Sequence, residues 1–309
     1  MNTYDVVIVG GGAAGLSAAL VLGRAGRAVA VVDGGQPRNA PAAHMQGYLS
    51  RDGMPPSELL AAGRAEVLRY GVQHIEHELT LAERNPNGTF RLTLATEEQL
   101  EARRVLVTTG LVDELPAIDG LRARWGKDVL HCPYCHGYEV RGKRLAVLGG
   151  TPESAQHALL IRQWSSDVVY FPHTDTLSET DREQLTARAI GIVEGQVGTV
   201  AITQDHLSGI QMADGRLIAR DAAFVRPVMR PNSALLEQLE CATDARGWVE
   251  ADATGLTSQQ GVWVAGNVRN PRAQVITAAG EGSAAAIAIN NDLVADDVRQ
   301  AVTTFNSGS

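Results

Sequence analysis

The chain opens on an uninterrupted apolar run, Val6-Val7-Ile8-Val9, preceded by Asp5 and ended by Gly10, which reads as a strand buried on both faces. Behind it the alanine-rich stretch from Leu16 to Leu22 reads as helix, and Ala28-Val29-Ala30-Val31-Val32 as a second buried strand. Strand, helix and strand in that order predict a parallel β-α-β unit. The alternation returns in the middle of the chain. There Leu145-Ala146-Val147-Leu148 precedes a helix predicted over 152–164 and the strand Asp167-Val168-Val169-Tyr170-Phe171. Ala234 to Glu240 reads as a helical stretch. The tail from Thr303 to Ser309 reads as frayed, and no repeat of solenoid period is present.

Composition narrows the class. With 309 residues, 44% apolar and 20% charged, the chain is long enough for two domains with real cores. A formal charge of −8 argues against a nucleic-acid partner, and no apolar run is long enough to span a membrane. The first strand begins almost at Met1, with no basic n-region or cleavage site, so no export signal is read. Three cysteines in such a chain imply a reducing compartment, and the cytoplasm is the expected location.

The turns between elements carry the first chemistry. Gly10-Gly11-Gly12-Ala13-Ala14-Gly15 joins the first strand to its helix as G-x-G-x-x-G. Gly10 permits the tight turn, Gly12 lets backbone approach a pyrophosphate, and Gly15 lets helix pack on strand, while Ala13 and Ala14 open the helix. Asp33, about twenty residues on and followed by Gly34, should accept hydrogen bonds from an adenosine ribose. Strand, turn, helix, strand and terminal acid in register predict a dinucleotide site of Rossmann type. In the segment that follows, Pro37 to Tyr48, Arg38 and Asn39 are placed along the cofactor's phosphate or ring edge. His44 is a candidate acid–base group, or else a loop histidine bonded to backbone.

His131-Cys132-Pro133-Tyr134-Cys135-His136-Gly137-Tyr138-Glu139 gathers two of the three cysteines into a CxxC. Such a pair shuttles between dithiol and disulfide, and a neighbouring imidazole can hold one sulfur as thiolate. Zinc would need a second ligand pair, which is missing, so no metal is expected. Haem attachment, which Cys-x-x-Cys-His spells, requires export, and a glutaredoxin would carry the motif near the start of a small domain. The context after a dinucleotide unit points to a flavoprotein. His131 either tunes Cys132 or ends a strand; Tyr134 reads as packing, and Cys241 as a buried small hydrophobe.

Near the far end, Gly261 to Asn267 and Arg272 to Gly282 supply what looks like the other half of the same site. With Val105 to Gly110, they resemble the FAD segments of the low-molecular-weight thioredoxin reductase family. The resemblance implies FAD as cofactor, with Thr109, Gly110, Gly266, Asn267, Gln274 and Val275 among its contacts; Asn267 replaces the family's Asp. It implies an α/β fold with the architecture of a class II pyridine nucleotide-disulfide oxidoreductase: two Rossmann-like three-layer domains, an FAD domain of residues 1–112 and 246–309 interrupted by a smaller NAD(P)H-like domain, 113–245, that carries the CxxC. It also implies a homodimer.

The central domain departs from the ordinary reductases. Its turn, Gly149-Gly150-Thr151-Pro152-Glu153-Ser154-Ala155, puts Thr151 where a close-approach glycine falls, and Tyr170-Phe171-Pro172-His173-Thr174-Asp175 replaces the arginine cluster that clasps a 2′-phosphate. The chain thereby resembles the thioredoxin-reductase-like dithiol oxidases that act on holomycin and gliotoxin. In the mechanism this implies, a substrate dithiol attacks Cys132, Cys135 passes two electrons to FAD while His136 manages the proton, and O2 leaves as hydrogen peroxide. The partners expected are a small-molecule dithiol or disulfide, or a thioredoxin-like protein. The alternatives are an NAD(P)H- or ferredoxin-dependent disulfide reductase, with NADH or a displaced phosphate site, and a flavin-binding redox sensor.

Overall fold

A computed structural model describes residues 2–307 and divides the chain into two compact units. In the first unit β1 (Asn2–Val9) runs through the glycine turn into α1 (Ala13–Arg24), and β2 (Val29–Val32) returns parallel, Val6 opposite Val29. α2 (Pro56–Leu68) and β3 (Gln73–Ile75) follow, then the antiparallel pair β4 (Leu79–Arg84) and β5 (Phe90–Leu94), and β6 (Gln99–Val107). β6 crosses to the far side of β1, with Val7 opposite Val105, giving the sheet order β3-β2-β1-β6-β5-β4.

β7 (Leu111–Glu114) leads into the second unit. There α3 (Leu121–Arg124), β8 (Val129–Leu130) and α4 (Pro133–His136) precede β9 (Leu145–Leu148), α5 (Ser154–Ile161) and β10 (Val168–Phe171). α6 (Glu179–Ala187) and β11 (Gly191–Ile192) follow, then the antiparallel meander β12 (Val197–Thr203), β13 (His206–Met212) and β14 (Leu217–Ala219), then β15 (Ala222–Val225) and β16 (Val228–Pro231). The parallel order β11-β10-β9-β15-β8 repeats the β3-β2-β1-β6 pattern, and in both units an antiparallel excursion separates the third strand from the fourth. The chain then completes the first unit with α7 (Ala234–Gln238), β17 (Val262–Val264) and α8 (Val275–Ser307). β17 takes the C-terminal part of the β6 edge, Val262 opposite Val105, while β5 takes the N-terminal part, Leu92 opposite Leu100.

Alternation across the strands makes three layers in each unit. Val6 and Ile8 pack with α1, α2 and α8 through Leu22, Leu60 and Ile289, whereas Val7 and Val9 face α7 through Leu235 and Leu236. In the second unit Leu145 and Val147 meet Ala158 and Ile161 of α5, and Ala146 and Leu148 meet Val200 and Ile210 of the meander.

Two expectations are corrected here. The boundary read at 245/246 falls instead at 230/231, because Leu235, Leu236, Leu239 and Cys241 are buried in the same core as Val7. Residues 41–55 go with the second unit, where Pro41 lies against Gly126. The tail read as frayed is helical through Ser307; hydroxyls of Thr303, Thr304 and Ser307 bond carbonyls one turn back at 2.9, 3.0 and 2.7 Å. Gly308 and Ser309 lie outside the described residues. No helix among the described residues is long and apolar enough to cross a membrane.

Candidate functional site

In the first unit the strand order reverses between β1 and β6, and a crevice at the carboxyl ends of these strands is where open α/β sheets take dinucleotides. The sequence builds that crevice from small residues. A Cβ on Gly15 would overlap the Gly10 carbonyl, so only glycine lets α1 begin this close to β1, while the space in front of Gly12 is open. Thr108 closes the turn from the other side, its hydroxyl donating to the Val9 and Gly10 carbonyls at 3.0 and 2.8 Å. Ala14 packs against Gly282 of α8 and faces Gly266, so Gly12, Ala13, Ala14, Gly266, Gln274 and Val275 converge at the heads of two helices.

The other expected cofactor residues lie in the same unit. Asp33 ends β2 with its carboxylate against Gly11, accepts the Gly35 N–H at 3.2 Å, and is followed by Gly34 against Glu78. Arg38 donates to Asn267 Oδ1 at 3.4 Å, and the Asn267 amide donates to the Asn270 and Ala273 carbonyls at 2.9 and 3.0 Å. Asn39 lies in the turn that Ala40 closes on Pro37. Thr109 and Gly110 are pinned by Asn232: the Thr109 hydroxyl donates to its carbonyl at 2.7 Å, and its amide donates to the Thr109 carbonyl at 2.8 Å. Glu281, given no role from the sequence, accepts from the Gly266 N–H at 2.8 Å and from Asn270 at 2.7 Å. A carboxylate in an otherwise small and apolar helix start was its only signal. The open space at Gly12, bare helix N–H groups and a ribose-height carboxylate fit an FAD.

In the second unit Cys132 and Cys135 form a disulfide with their Cα atoms 5.3 Å apart. Pro133 starts the short α4, and the Cys135 and His136 N–H groups donate to the Cys132 carbonyl at 3.2 and 3.1 Å. Trp164 packs over Gly137, and Tyr134 stands edge-on to it at 5.6 Å. Cys132, Cys135 and His136 are each half-buried. Burial pushes the His136 imidazole below its ordinary proton affinity, and the Glu139 carboxylate pulls it part of the way back. The result is an unprotonated imidazole beside the cysteines near neutrality.

His44 has its Nδ1 3.0 Å from the Gly53 carbonyl in its own segment. Cys241 is buried and unbridged, its thiol pushed up by burial. His157 of α5 was missed: it sits buried behind His131, their rings 5.8 Å apart, and only its place in an apolar helix pattern marked it out. No group of three or more His, Cys, Asp or Glu among the described residues could hold a metal.

The second glycine turn is built differently from the first. Gly149 lies against the Pro172 carbonyl and the Asp175 carboxylate, and Tyr170 donates its hydroxyl to Asp175 at 3.0 Å. Ser154 Oγ accepts the Thr151 N–H at 3.1 Å. Beyond it lies a cleft of about 570 Å³ lined by Pro116, Ala117, His173, Thr174 and Gln196 to Gly198, with no guanidinium among its described lining.

Twin dinucleotide-type folds with a redox disulfide on one of them define a disulfide oxidoreductase. The sequence matches the pyridine nucleotide-disulphide oxidoreductase family over residues 4–282, and the chain belongs to that family, whose thioredoxin reductase members are FAD flavoproteins. The crystal structure of HlmI is 52% identical, with 97% of this chain and 95% of that one covered and a TM-score of 0.95. An oxidoreductase from Agrobacterium tumefaciens is 34% identical over 95% of this chain and 99% of its own, with a TM-score of 0.89. The thioredoxin reductase sirT of Leptosphaeria maculans is 28% identical over 96% of both chains. This protein is thus a thioredoxin reductase-like disulfide oxidoreductase with FAD as its cofactor.

Proposed function

We propose that this enzyme is a dithiol oxidase: it forms a disulfide in a small-molecule or peptide dithiol and delivers the electrons to O2, giving H2O2. The observation that supports this direction is the Asp175 carboxylate against Gly149, which, like Asp33 against Gly11, suits a bare ribose and disfavours the 2′-phosphate of NADPH, the donor of the reductase reading. An acid in this place repels a 2′-phosphate, and the neighbouring cleft supplies no arginine to offset it.

The chain's own residues then act in order. A substrate thiolate attacks Cys132 Sγ, the S–S bond breaks, and Cys135 departs as thiolate. His136 accepts a proton from the second substrate thiol, whose sulfur attacks the mixed disulfide and releases Cys132 with the product disulfide. The substrate loses two electrons and two protons; the cysteine pair gains the electrons. FAD, when bound, would supply the two-electron acceptor through which the pair reaches dioxygen. Gly10, Gly12, Ala13, Ala14, Asp33, Gly34, Arg38 and Asn39 would hold it from one side, and Thr109, Gly110, Gly266, Asn267, Gln274 and Val275 from the other. The setting of this reading is a homodimer in the cytoplasm.

The deciding experiment mixes the yellow protein anaerobically with NADPH, NADH or a small dithiol and follows flavin bleaching. The dithiol should bleach it fast and NADPH slowly, and readmitted air should yield one H2O2 per disulfide. Fast bleaching by NADPH with none by dithiol makes the protein a reductase. Slow bleaching by every donor, unaltered in Cys132→Ser, makes it a sensor.

A further inference from the structure

The turn between β17 and α8 is held by a carboxylate from the helix itself. Glu281 stands in the second turn of α8, where side chains lean back toward the helix N-terminus. That lean carries it to residues 266–270, where it accepts the Gly266 N–H at 2.8 Å and the Asn270 side-chain N–H at 2.7 Å. The two donors stand at the two ends of one tight helical turn, closed by the Arg269 and Asn270 N–H groups on the Gly266 carbonyl. The turn is seated on the head of α1, since a Cβ on Gly266 would meet Ala14 at 3.1 Å.

The hydrogen bonds of this turn have only one consistent set of directions. A carboxylate accepts and does not donate, so Asn270 shows Glu281 its side-chain N–H and keeps its Oδ1 for the Arg272 N–H at 3.1 Å. The carbonyls of Asn270 and Ala273 take the two side-chain N–H bonds of Asn267 at 2.9 and 3.0 Å, and Arg38 donates to Asn267 Oδ1 at 3.4 Å. Reversing the Asn267 amide would set its oxygen against two carbonyls and its N–H bonds against a guanidinium. Both N–H bonds of Asn267 are thus spent inside the protein. Its oxygen keeps one lone pair beyond the bond from Arg38, so toward a ligand this amide is an acceptor alone.

We infer that Glu281 is a positioning residue of the cofactor site: by clamping Gly266 and Asn270 it fixes the turn from which Asn267 presents Oδ1, as an acceptor, to a hydroxyl of the flavin cofactor. The inference rests on Asn267 being a contact of FAD, and it gives Glu281 no contact with the cofactor of its own. An aspartate at position 267 does not serve in this turn, because it has no N–H to give the two carbonyls.

The test is a double-mutant cycle on FAD release from the diluted, flavin-loaded protein, followed by the rise in free-flavin fluorescence. Glu281→Ala and Asn267→Ala should each release FAD about tenfold faster, and the double variant no faster than the quicker single one, because the two side chains act through one contact. Asn267→Asp should release it as fast as Asn267→Ala. Single effects that multiply in the double variant overturn the inference, whatever happens to the melting temperature. So does release at the unsubstituted rate from Glu281→Ala or from Asn267→Asp. If Glu281→Ala does not fold, Glu281→Gln takes its place, turning an N–H on one of the two donors, and the same cycle decides. Release at the unsubstituted rate from Asn267→Ala removes Asn267 from the FAD contacts altogether, so failure of that assignment is told apart from failure of the clamp.

Discussion

In the proposed mechanism a single imidazole beside the cysteines, that of His136, sets the pH range of the chemistry. His136 must be unprotonated to take a thiol proton, so activity should fall on the acid side, with a midpoint below the ordinary histidine value because burial disfavours its charged form. Glu139 raises that midpoint, so Glu139→Gln should move the acid limb to lower pH in a pH–rate profile of dithiol oxidation. His136→Gln should lower kcat about 10²- to 10⁴-fold and abolish the limb. His157 acts on stability instead. Burial pushes its pKa down to about 3 in the folded chain against the ordinary 6.5, so the unfolded chain binds a proton that the folded one refuses. The stability it contributes is full above pH 6.5 and is lost as pH falls toward 3, by about 1.4 kcal/mol per pH unit. Urea titrations from pH 7 to 4 should show a shallower acid loss in His157→Leu. The cysteines and His136 were legible because their spacing is itself the chemistry. The burial of His157 was not, since a histidine in an apolar helix pattern carries no mark of what packs around it.

At the level of elements, small residues at the heads of α1 and α8 let two helices and a strand end meet around one crevice. A Cβ on Gly282 would overlap the Ala14 carbonyl, so Gly282→Val should push α8 off α1. Overpacking of this kind costs about 1–3 kcal/mol, and the purified variant should show a lower flavin-to-protein absorbance ratio and a lower melting temperature. The buried parallel strands were readable because continuous Val, Ile and Leu runs leave no other use for them. The antiparallel strands gave no such signal: β4 buries only Ala82 of its six residues, and β14 buries none of its three. The helix read over 152–164 is only Ser154–Ile161, because its first turn is spent on the Thr151–Ser154 loop. The unit boundary was misread for a similar reason, since the burial of α7 on the far face of the first sheet depends on partners more than a hundred residues upstream.

For the whole molecule, one topology appears twice, each copy with a carboxylate against its glycine turn, Asp33 at Gly11 and Asp175 at Gly149, and the second with the Ser154 hydroxyl taking a turn N–H. The long α8 leaves Ile287, Val294, Val298 and Val302 exposed at spacings of one and two turns, a single apolar stripe on the first unit. We expect this stripe to be covered in a homodimer. Sedimentation should give twice the chain mass, and Val298→Glu should shift the population to one chain mass without changing the flavin spectrum.

The lateness of β17 has a consequence for synthesis. Until residues 262–264 leave the ribosome, the carboxyl end of β6 has no neighbour on one side, so the outer unit waits as an unfinished sheet while the intervening 113–230 emerges. A chain stopped anywhere between those points carries a raw strand edge and an uncovered apolar face. Premature termination in this protein should therefore yield aggregates and chaperone clients in place of a smaller working enzyme.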